Sequence, residues 1–147
     1  MTIVRATVAH VGLLVPLFTQ YLAFYRRETD GSSVERFLMD RLRHEESVVY
    51  LALDDTLEPI GFVQLYPSWS SLSLKRLWIL NDLFVVPGAR KRGIARRLIE
   101  SSVQLARATG AKGLILETAI DNLPARSLYE ALGWKLEREF ERYALDL

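Results

Sequence analysis

The chain has 147 residues, of which 50% are hydrophobic and 25% charged, and its formal net charge is +1. This is the composition of one globular domain with its own core; it argues against disorder and against a general nucleic-acid binder, which is usually far more basic. The absence of cysteine excludes disulfides, thiolate metal ligands and a cysteine nucleophile, and two histidines far apart in sequence do not favour a metal site.

The chain shows no internal repeat or linker, so we expect a single domain over residues 1–147. The N-terminus has no signal-peptide pattern, and no stretch approaches the ~18 apolar residues of a membrane span. We therefore expect a cytoplasmic protein with no membrane partner and no nucleic-acid partner.

The first third of the sequence predicts one strand and two helices. "TIVRATV" is β-prone and short, and apolar residues then recur at helical spacing from about Ala9 to Arg27. After "ETDGSS", Ser32 or Ser33 can cap a second helix that ends near Arg43.

The middle of the chain predicts three strands. "SVVYLAL" and "IGFVQLYP" are apolar runs separated by the turn "DDTLEP", which indicates an antiparallel hairpin. "PSWSSLSLK" is predicted as a loop long enough to be functional, and "RLWILNDLFVV" is the longest β-prone run.

The last third predicts two helices and three strands. A helix runs from about Gly93 to Thr109 with Gly110 as its C-terminal cap, and the strand "KGLILETA" follows. "LPARSLYEALGW" is a short helix with Pro124 in its first turn and Gly133 at its end; "WKLE" and "RYALDL" are two final strands. The predicted fold class is α/β: a mixed sheet with helices on both sides, in the order β-α-α-β-β-β-α-β-α-β-β.

A basic turn lies between the longest strand and the helix that follows it. Cations are unfavourable at a helix N-terminus, where the backbone dipole is already positive, unless an anion binds there. Gly93 allows close backbone approach, and the free N–H groups of the turn and first helical turn can form an anion nest. The cations that surround this turn are Arg90, Lys91, Arg92, Arg96 and Arg97. The pattern predicts a phosphate or pyrophosphate ligand, whereas a basic run alone would more simply be a solvated helix face.

Two common phosphate-binding motifs do not fit this turn. Gly88 and Gly93 have the glycine spacing of a Walker A loop, but Ile94 and Ala95 stand where that loop needs Lys and Ser or Thr. A G-x-G-x-x-G dinucleotide fingerprint is absent as well.

"VVPGARKRGIARRLI" resembles the acyl-CoA-binding motif of the GNAT superfamily, the Gcn5-related N-acetyltransferases. That motif, [Q/R]-x-x-G-x-[G/A], is matched by Arg90, Gly93 and Ala95. "DNLPARSLYEALGW" is similar to the downstream motif of the same family, and the two lie at the separation that the family uses. The matched residues of the second motif are Asn122, Ala125, Leu128, Tyr129, Gly133 and Trp134. The motif resemblance covers the chain from about Val48 to its end.

The resemblance implies the GNAT fold and acetyl-CoA as the cosubstrate, with no metal. It implies that strand four, over Leu83, Phe84 and Val85, lies beside the pantetheine arm and contains a bulge that splays strands four and five. A backbone N–H near Val85 would then polarise the thioester carbonyl. The pyrophosphate would be held by Arg90, Lys91, Arg92, Gly93, Ile94, Ala95 and Arg96. Asn122, Ala125 and Tyr129 would complete the cosubstrate site.

The resemblance also implies that Tyr129 is the general acid. A thiolate leaves when an amine attacks a thioester, and a phenol can donate a proton to it. Outside the motif, the same tyrosine would be read as a core aromatic residue of an amphipathic helix.

The general base is less defined. Strand alternation sends Asn81 and Asp82 to opposite faces unless a bulge intervenes. "LNDLFVV" is similar to the corresponding stretch of polyamine and small-amine acetyltransferases, which carry adjacent acidic residues, but this chain has asparagine at the first position. Asp82 could act through a water, attract a cationic amine or hydrogen-bond structurally, and Glu117 is a weaker alternative.

The acceptor side is expected to come from the first helices and the loop between strands three and four. We assign Tyr25, Tyr66, Ser70 and Asp82 to it, with Trp69 and Ser71 as neighbouring candidates; core packing is favoured for Tyr21. An aromatic wall with one carboxylate suits a small cationic amine through cation–π contacts.

The predicted function is acetyl-CoA-dependent N-acetyl transfer to a primary amine, by direct attack in a ternary complex because no cysteine can carry the acyl group. Two alternatives stay open: a non-catalytic acyl-CoA-binding module, and a protein or histone lysine acetyltransferase. We also expect a homodimer, because late strands often pair between copies in this superfamily.

Overall fold

The computed structural model describes residues 1–147, which divide into two units. The sheet unit is Met1–Leu116, and the C-terminal unit is Glu117–Leu147. The mixed α/β class is confirmed: five strands and four α-helices form, but the predicted order is wrong at its end.

The sheet has its strands in chain order, β1-β2-β3-β4-β5. The neighbours are antiparallel except for β4 and β5, which are parallel. The strands are β1 Thr2–Arg5, β2 Val48–Leu53, β3 Pro59–Ser70, β4 Lys75–Val85 and β5 Leu114–Ile115. The helices are α1 Val11–Phe24, α2 Gly31–Arg43, α3 Ile94–Ala108 and α4 Leu123–Ala131, with short 3₁₀ turns at Val8–His10 and Pro87–Ala89.

Helices α1 and α2 pack on one face of the sheet because each buries an apolar stripe at helical spacing. Leu14 and Leu17 of α1 and Leu38 of α2 join Phe62 and Phe84 of the sheet in one core cluster. Helix α3 packs with β2, β3 and β4.

The N-terminal cap of α2 is Asp30, not the predicted Ser32 or Ser33. The Asp30 carboxylate accepts from the Ser33 N–H at 2.6 Å and from the Ser32 hydroxyl at 2.9 Å. These hydrogen bonds hold the pKa of Asp30 below its ordinary value. A carboxylate suits this position better than a hydroxyl because it also meets the positive end of the helix dipole.

A β-bulge in β4 decides which face of the sheet each side chain joins. Leu80 pairs with Leu65 and Asp82 pairs with Gln64, so Asn81 is an extra residue in the ladder. Paired residues share a face, and Leu65 and Gln64 point to opposite faces. Asp82 and the residues after it are therefore on the opposite face from the one that unbroken alternation would give. The bulge lies at Asn81 rather than within the expected stretch Leu83–Val85.

The Ser-rich stretch predicted as a loop is part of a long hairpin. Strand β3 continues to Ser70 and β4 begins at Lys75, with Trp69 opposite Arg76. The Arg76 guanidinium lies 4.5 Å from the centre of the Trp69 ring. Serine has no strong preference for strands, so the sequence predicted a loop. The stretch forms a strand because the neighbouring strand provides hydrogen-bond partners for its backbone.

The strands predicted at the C-terminus do not form, and β5 is shorter than the predicted "KGLILETA". After α4 the chain has no further strand, and most of residues 135–147 are exposed. Apolar alternation predicts an extended chain, but a strand also needs a partner for its backbone groups. No strand of this chain pairs with the segment.

In the C-terminal unit, α4 has the ends that its sequence predicts. Asn122 is the N-cap, with its side-chain oxygen 3.4 Å from the Ala125 nitrogen, and Pro124 lies in the first turn. Gly133 follows the helix with φ +88°, a conformation that glycine adopts without strain. No helix of either unit is both long and apolar enough to cross a membrane.

Candidate active site

The carboxylate of Asp82 lies on the α1 and α2 face of the sheet because of the bulge. It is 5% exposed. Gln64 Nε2 donates to Asp82 Oδ2 at 2.8 Å, and Asn81 Nδ2 donates to Asp82 Oδ1 at 3.1 Å. No lysine, arginine or histidine forms an ion pair with it. The result is a buried negative charge held by neutral donors, with no counter-ion from the chain.

Two phenols face this carboxylate. Burial raises the pKa of Tyr21, and the charge and hydrogen bonding of Asp82 raise it further. Burial, followed by the charge of Asp82, raises the pKa of Tyr66 to about 12, although Arg41 acts in the opposite direction. Both hydroxyls therefore stay protonated near neutral pH.

Tyr21 combines the core packing expected for it with a polar contact that the sequence did not indicate. Its ring lies 5.8 Å from Phe62 and 6.3 Å from Phe84, both edge-on. Tyr25, which is 48% exposed, packs edge-on against Tyr21 at 5.1 Å. The aromatic wall is thus formed mainly by α1, with Tyr66 adding a phenol from β3.

Ser70 lies far from this cluster. It is six residues along β3 from Gln64, which is about 20 Å in an extended strand. Its hydroxyl accepts from the Ser73 N–H at 3.3 Å and caps the hairpin turn. Trp69 and Ser71 belong to the same distal end of the hairpin.

The far edge of β4 lacks a strand partner where the cosubstrate arm is expected. Strand β5 pairs only with Trp78 and Ile79. Val86 N donates to Ile60 O at 3.0 Å, so the alternation of an antiparallel ladder directs the backbone groups of Leu83 and Val85 away from β3. Because the bulge adds one residue to β4, it reverses which of the following backbone groups face β3 and which face the open edge. The backbone groups of Leu83 and Val85 therefore face the open edge.

The side chain of Arg90 folds back onto this edge. Its Nε donates to the Val85 carbonyl oxygen at 3.0 Å. Its guanidinium lies 5.7 Å from the centre of the Phe24 ring and 5.8 Å from that of Phe84. The first cation of the basic turn therefore links the turn to the end of β4.

The basic turn has the backbone of an anion nest. Lys91 has φ +60° and Gly93 has φ +79°, and Gly93 is the N-cap of α3 without a side-chain cap. No N–H group of residues 91–96 has an acceptor within the chain. Six consecutive donors remain available to a ligand at the positive end of a helix dipole.

The cations around this turn differ in whether they already have a partner within the chain. Arg96 Nε pairs with Glu100 at 3.0 Å, and Arg97 Nη1 donates to the Met1 carbonyl at 3.3 Å. Lys91 and Arg92 are exposed and form no ion pair. These two are the cations best able to meet an anion.

The remaining cosubstrate candidates belong to the C-terminal unit. The cap between Asn122 and Ala125 explains the spacing Asn-x-x-Ala, since an N-cap side chain reaches the backbone three residues later. Tyr129 packs on Trp134, with ring centres 5.8 Å apart, and its carbonyl accepts from the Trp134 N–H at 3.0 Å.

Sequence reasoning missed Gln64 as part of the site. The signal that could have revealed it is a single amide within an otherwise apolar strand, because buried polar side chains need a specific partner. No group of three or more His, Cys, Asp or Glu side chains is placed to hold a metal ion.

Comparisons with known proteins identify the family. The acetyltransferase (GNAT) family model matches residues 15–134. The chain is 45% identical, over all its length and 98% of the relative's, to the uncharacterized N-acetyltransferase YhfO of Bacillus subtilis. It is 34% identical to a probable acetyltransferase of Haemophilus influenzae over 96% of this chain and 97% of the other.

A solved structure, the crystal structure of a probable acetyltransferase, superposes with a TM-score of 0.95 at 46% identity, covering 100% of this chain and 98% of that chain. The chain therefore belongs to the acetyltransferase (GNAT) family and is an enzyme of the N-acetyltransferase class.

Proposed function

We propose that the protein transfers an acetyl group from acetyl-CoA to a small primary amine, by direct attack within a ternary complex. The observation that carries the acceptor assignment is the buried Asp82 carboxylate, which has neutral donors and two phenols around it but no cation. Such a site favours a compact ammonium ion, since its negative charge is otherwise uncompensated.

The residues of the basic turn fit the diphosphate of acetyl-CoA. The N–H groups of residues 91–96 would hold its oxygens, and Lys91 and Arg92 would supply the positive charge. When bound, acetyl-CoA supplies the acetyl group in activated form, as a thioester. The Val85 N–H is directed to the open edge of β4 and would donate to a carbonyl oxygen there.

Asp82 is proposed to attract the ammonium and to accept its proton, directly or through a water. An alkylamine is mostly protonated at neutral pH and must lose a proton before it can attack. The Tyr129 hydroxyl is proposed to donate a proton to the departing thiolate. The motif resemblance and the chemistry of a phenol support that role.

The experiment compares wild type and Asp82→Asn with acetyl-CoA and a panel of acceptors: polyamines, arylalkylamines, amino acids, aminoglycosides and lysine-containing histone-tail peptides. We expect a small amine to be the best substrate of the wild type. We expect Asp82→Asn to lower kcat/KM for that amine by about 100-fold, as loss of a positioned base or charge does.

Asp55→Asn is the matched control, because Asp55 lies in an exposed turn of the same unit. Efficient transfer only to peptides would overturn the small-amine assignment in favour of a protein lysine acetyltransferase. Unchanged kinetics in Asp82→Asn would overturn the role of the carboxylate.

A further inference from the structure

Gln64 is a fully buried amide in the middle of β3, and the chemistry proposed above gives it no role. Its side chain is 0% exposed, and it is the cross-strand partner of Asp82. Burying an amide costs free energy unless it is hydrogen-bonded. A residue of this kind in an apolar strand therefore needs a specific reason.

The hydrogen bond to Asp82 orients the amide. An ionised carboxylate only accepts hydrogen bonds, so the amide nitrogen must face it, as the 2.8 Å contact from Nε2 to Oδ2 shows. This orientation leaves Gln64 Oε1 buried without a donor. An apolar side chain of the same size would fill the space without that unsatisfied oxygen, so packing alone does not account for glutamine.

The other oxygen of Asp82 is held independently. Asn81 Nδ2, from the bulge residue, lies 3.1 Å from Oδ1. Each carboxylate oxygen thus has one amide donor, and the two donors come from neighbouring strands. The remaining polar groups that face this cluster are Tyr21 of α1 and Tyr66 of β3, and the fields of Tyr25 and Arg41 act on those phenols.

We propose that Gln64 is a positioning residue, which keeps the Asp82 carboxylate oriented toward the acceptor amine. It acts through Asp82 and does not touch the amine. The inference rests on the proposed function of Asp82. It assigns to the buried Gln64 amide a positioning role rather than a packing role.

The test measures kcat and KM for the best amine, and the KM for acetyl-CoA, in wild type, Gln64→Met and Gln64→Glu. Methionine has a similar size but no donor. We expect Gln64→Met to lower kcat/KM for the amine about tenfold or more and to leave the KM for acetyl-CoA within about twofold. We also expect the KM for the amine to rise, because a carboxylate that loses a donor is less well oriented toward the amine.

Gln64→Glu should lower kcat/KM for the amine further, because it replaces the amide donor by a second carboxyl group beside Asp82. Gln104→Met is the matched control, since Gln104 is exposed on α3. A KM value is independent of the fraction of enzyme that is folded, so a rise in the KM for the amine cannot come from unfolding.

The outcomes separate this inference from the proposed function. If Asp82→Asn lowers activity but Gln64→Met leaves both KM and kcat/KM for the amine unchanged, the positioning role alone is wrong. If Gln64→Met lowers the urea-unfolding free energy without changing the KM for the amine, Gln64 is structural and the inference is also wrong. If Asp82→Asn is as active as wild type, the proposed role of Asp82 is wrong, and the inference falls with it.

Discussion

Asp82 is the residue on which the proposed acceptor chemistry depends, and its hydrogen-bond partners explain how it remains in the core. Amide groups of Gln64 and Asn81 donate to its two oxygens, and the Tyr21 phenol adds a hydrogen-bonding interaction. Neutral donors stabilise a carboxylate without cancelling its charge. A lysine or arginine in their place would satisfy the carboxylate but would repel a cationic substrate.

At the same scale, Tyr129→Phe tests the proposed general acid. We expect kcat to fall by about 100-fold while the Kd for acetyl-CoA stays within about twofold, since the phenol assists the leaving group rather than ground-state binding. Single-turnover assays measure the first quantity and calorimetry the second. Tyr143→Phe, at an exposed position of the same unit, is the control. Full activity of Tyr129→Phe would show that Tyr129 is not the general acid.

The raised pKa of Tyr66 predicts that the free energy of unfolding depends on pH. Its pKa is raised to about 12 in the folded protein, against ~10 in an unfolded chain. The folded state therefore holds this proton more tightly, and the stability so gained is complete below about pH 10 and lost as the pH rises toward the folded pKa. We expect the urea-unfolding free energy to fall above about pH 10, and to fall less steeply in Tyr66→Phe. Equal slopes for the two proteins would contradict this.

At the scale of elements, the bulge at Asn81 does two things at once. It turns Asp82 toward α1 and α2, and it turns the backbone N–H groups of Leu83 and Val85 toward the edge that β5 leaves open. One extra residue in β4 thus arranges both the proposed acceptor side and the proposed thioester side of the same strand. Bulges commonly serve to re-aim groups near active sites.

The turn before α3 gives a testable prediction at this scale. Lys91→Ala with Arg92→Ala removes the two cations that form no ion pair. We expect the KM for acetyl-CoA to rise about tenfold and its dependence on salt to weaken, because exposed charges are screened. For acetyl-pantetheine, which lacks the diphosphate, we expect the double variant and wild type to have the same KM.

The control for this pair is Arg96→Ala with Arg97→Ala, which removes cations already engaged by Glu100 and Met1. We expect the control to raise the KM for acetyl-CoA by less than about threefold. Equal losses in both double variants would indicate a diffuse electrostatic effect rather than a diphosphate site.

At the scale of the whole molecule, two segments each carry several exposed apolar side chains. The tail carries Phe140, Tyr143, Leu145 and Leu147, and the hairpin end carries Trp69, Leu72 and Leu74. Exposed apolar groups gathered in one segment commonly mark an interaction surface. The alternation in the tail suits pairing with another copy.

We expect the protein to be a dimer in solution, with a mass by light scattering twice the 16.8 kDa of one chain. Phe140→Ser with Leu145→Ser should weaken the dimer, because it removes apolar area from the pairing segment. Leu72→Ser with Leu74→Ser, at the hairpin end, should leave it intact. The reverse result would assign the interface to the hairpin, and a monomeric wild type would contradict the prediction.

The sequence alone was sufficient wherever a feature depends on residues close along the chain. The helical stripe of α1, the end of α3 at Gly110, the proline and closing glycine of α4 and the basic turn were all recognisable, because neighbouring side chains and backbone groups produce them. The same holds for the two motifs that indicated the family, since each is a short segment with its own local geometry.

Only the tertiary structure decided the features that depend on a partner strand. The bulge at Asn81, the long hairpin to Ser70 and the absence of the final strands each follow from which backbone pairs with which, and in what register. The pairing of Gln64 with Asp82 joins residues 18 positions apart for the same reason. Strand pairing is a long-range choice whose alternatives differ by single residues, so a local pattern cannot select among them.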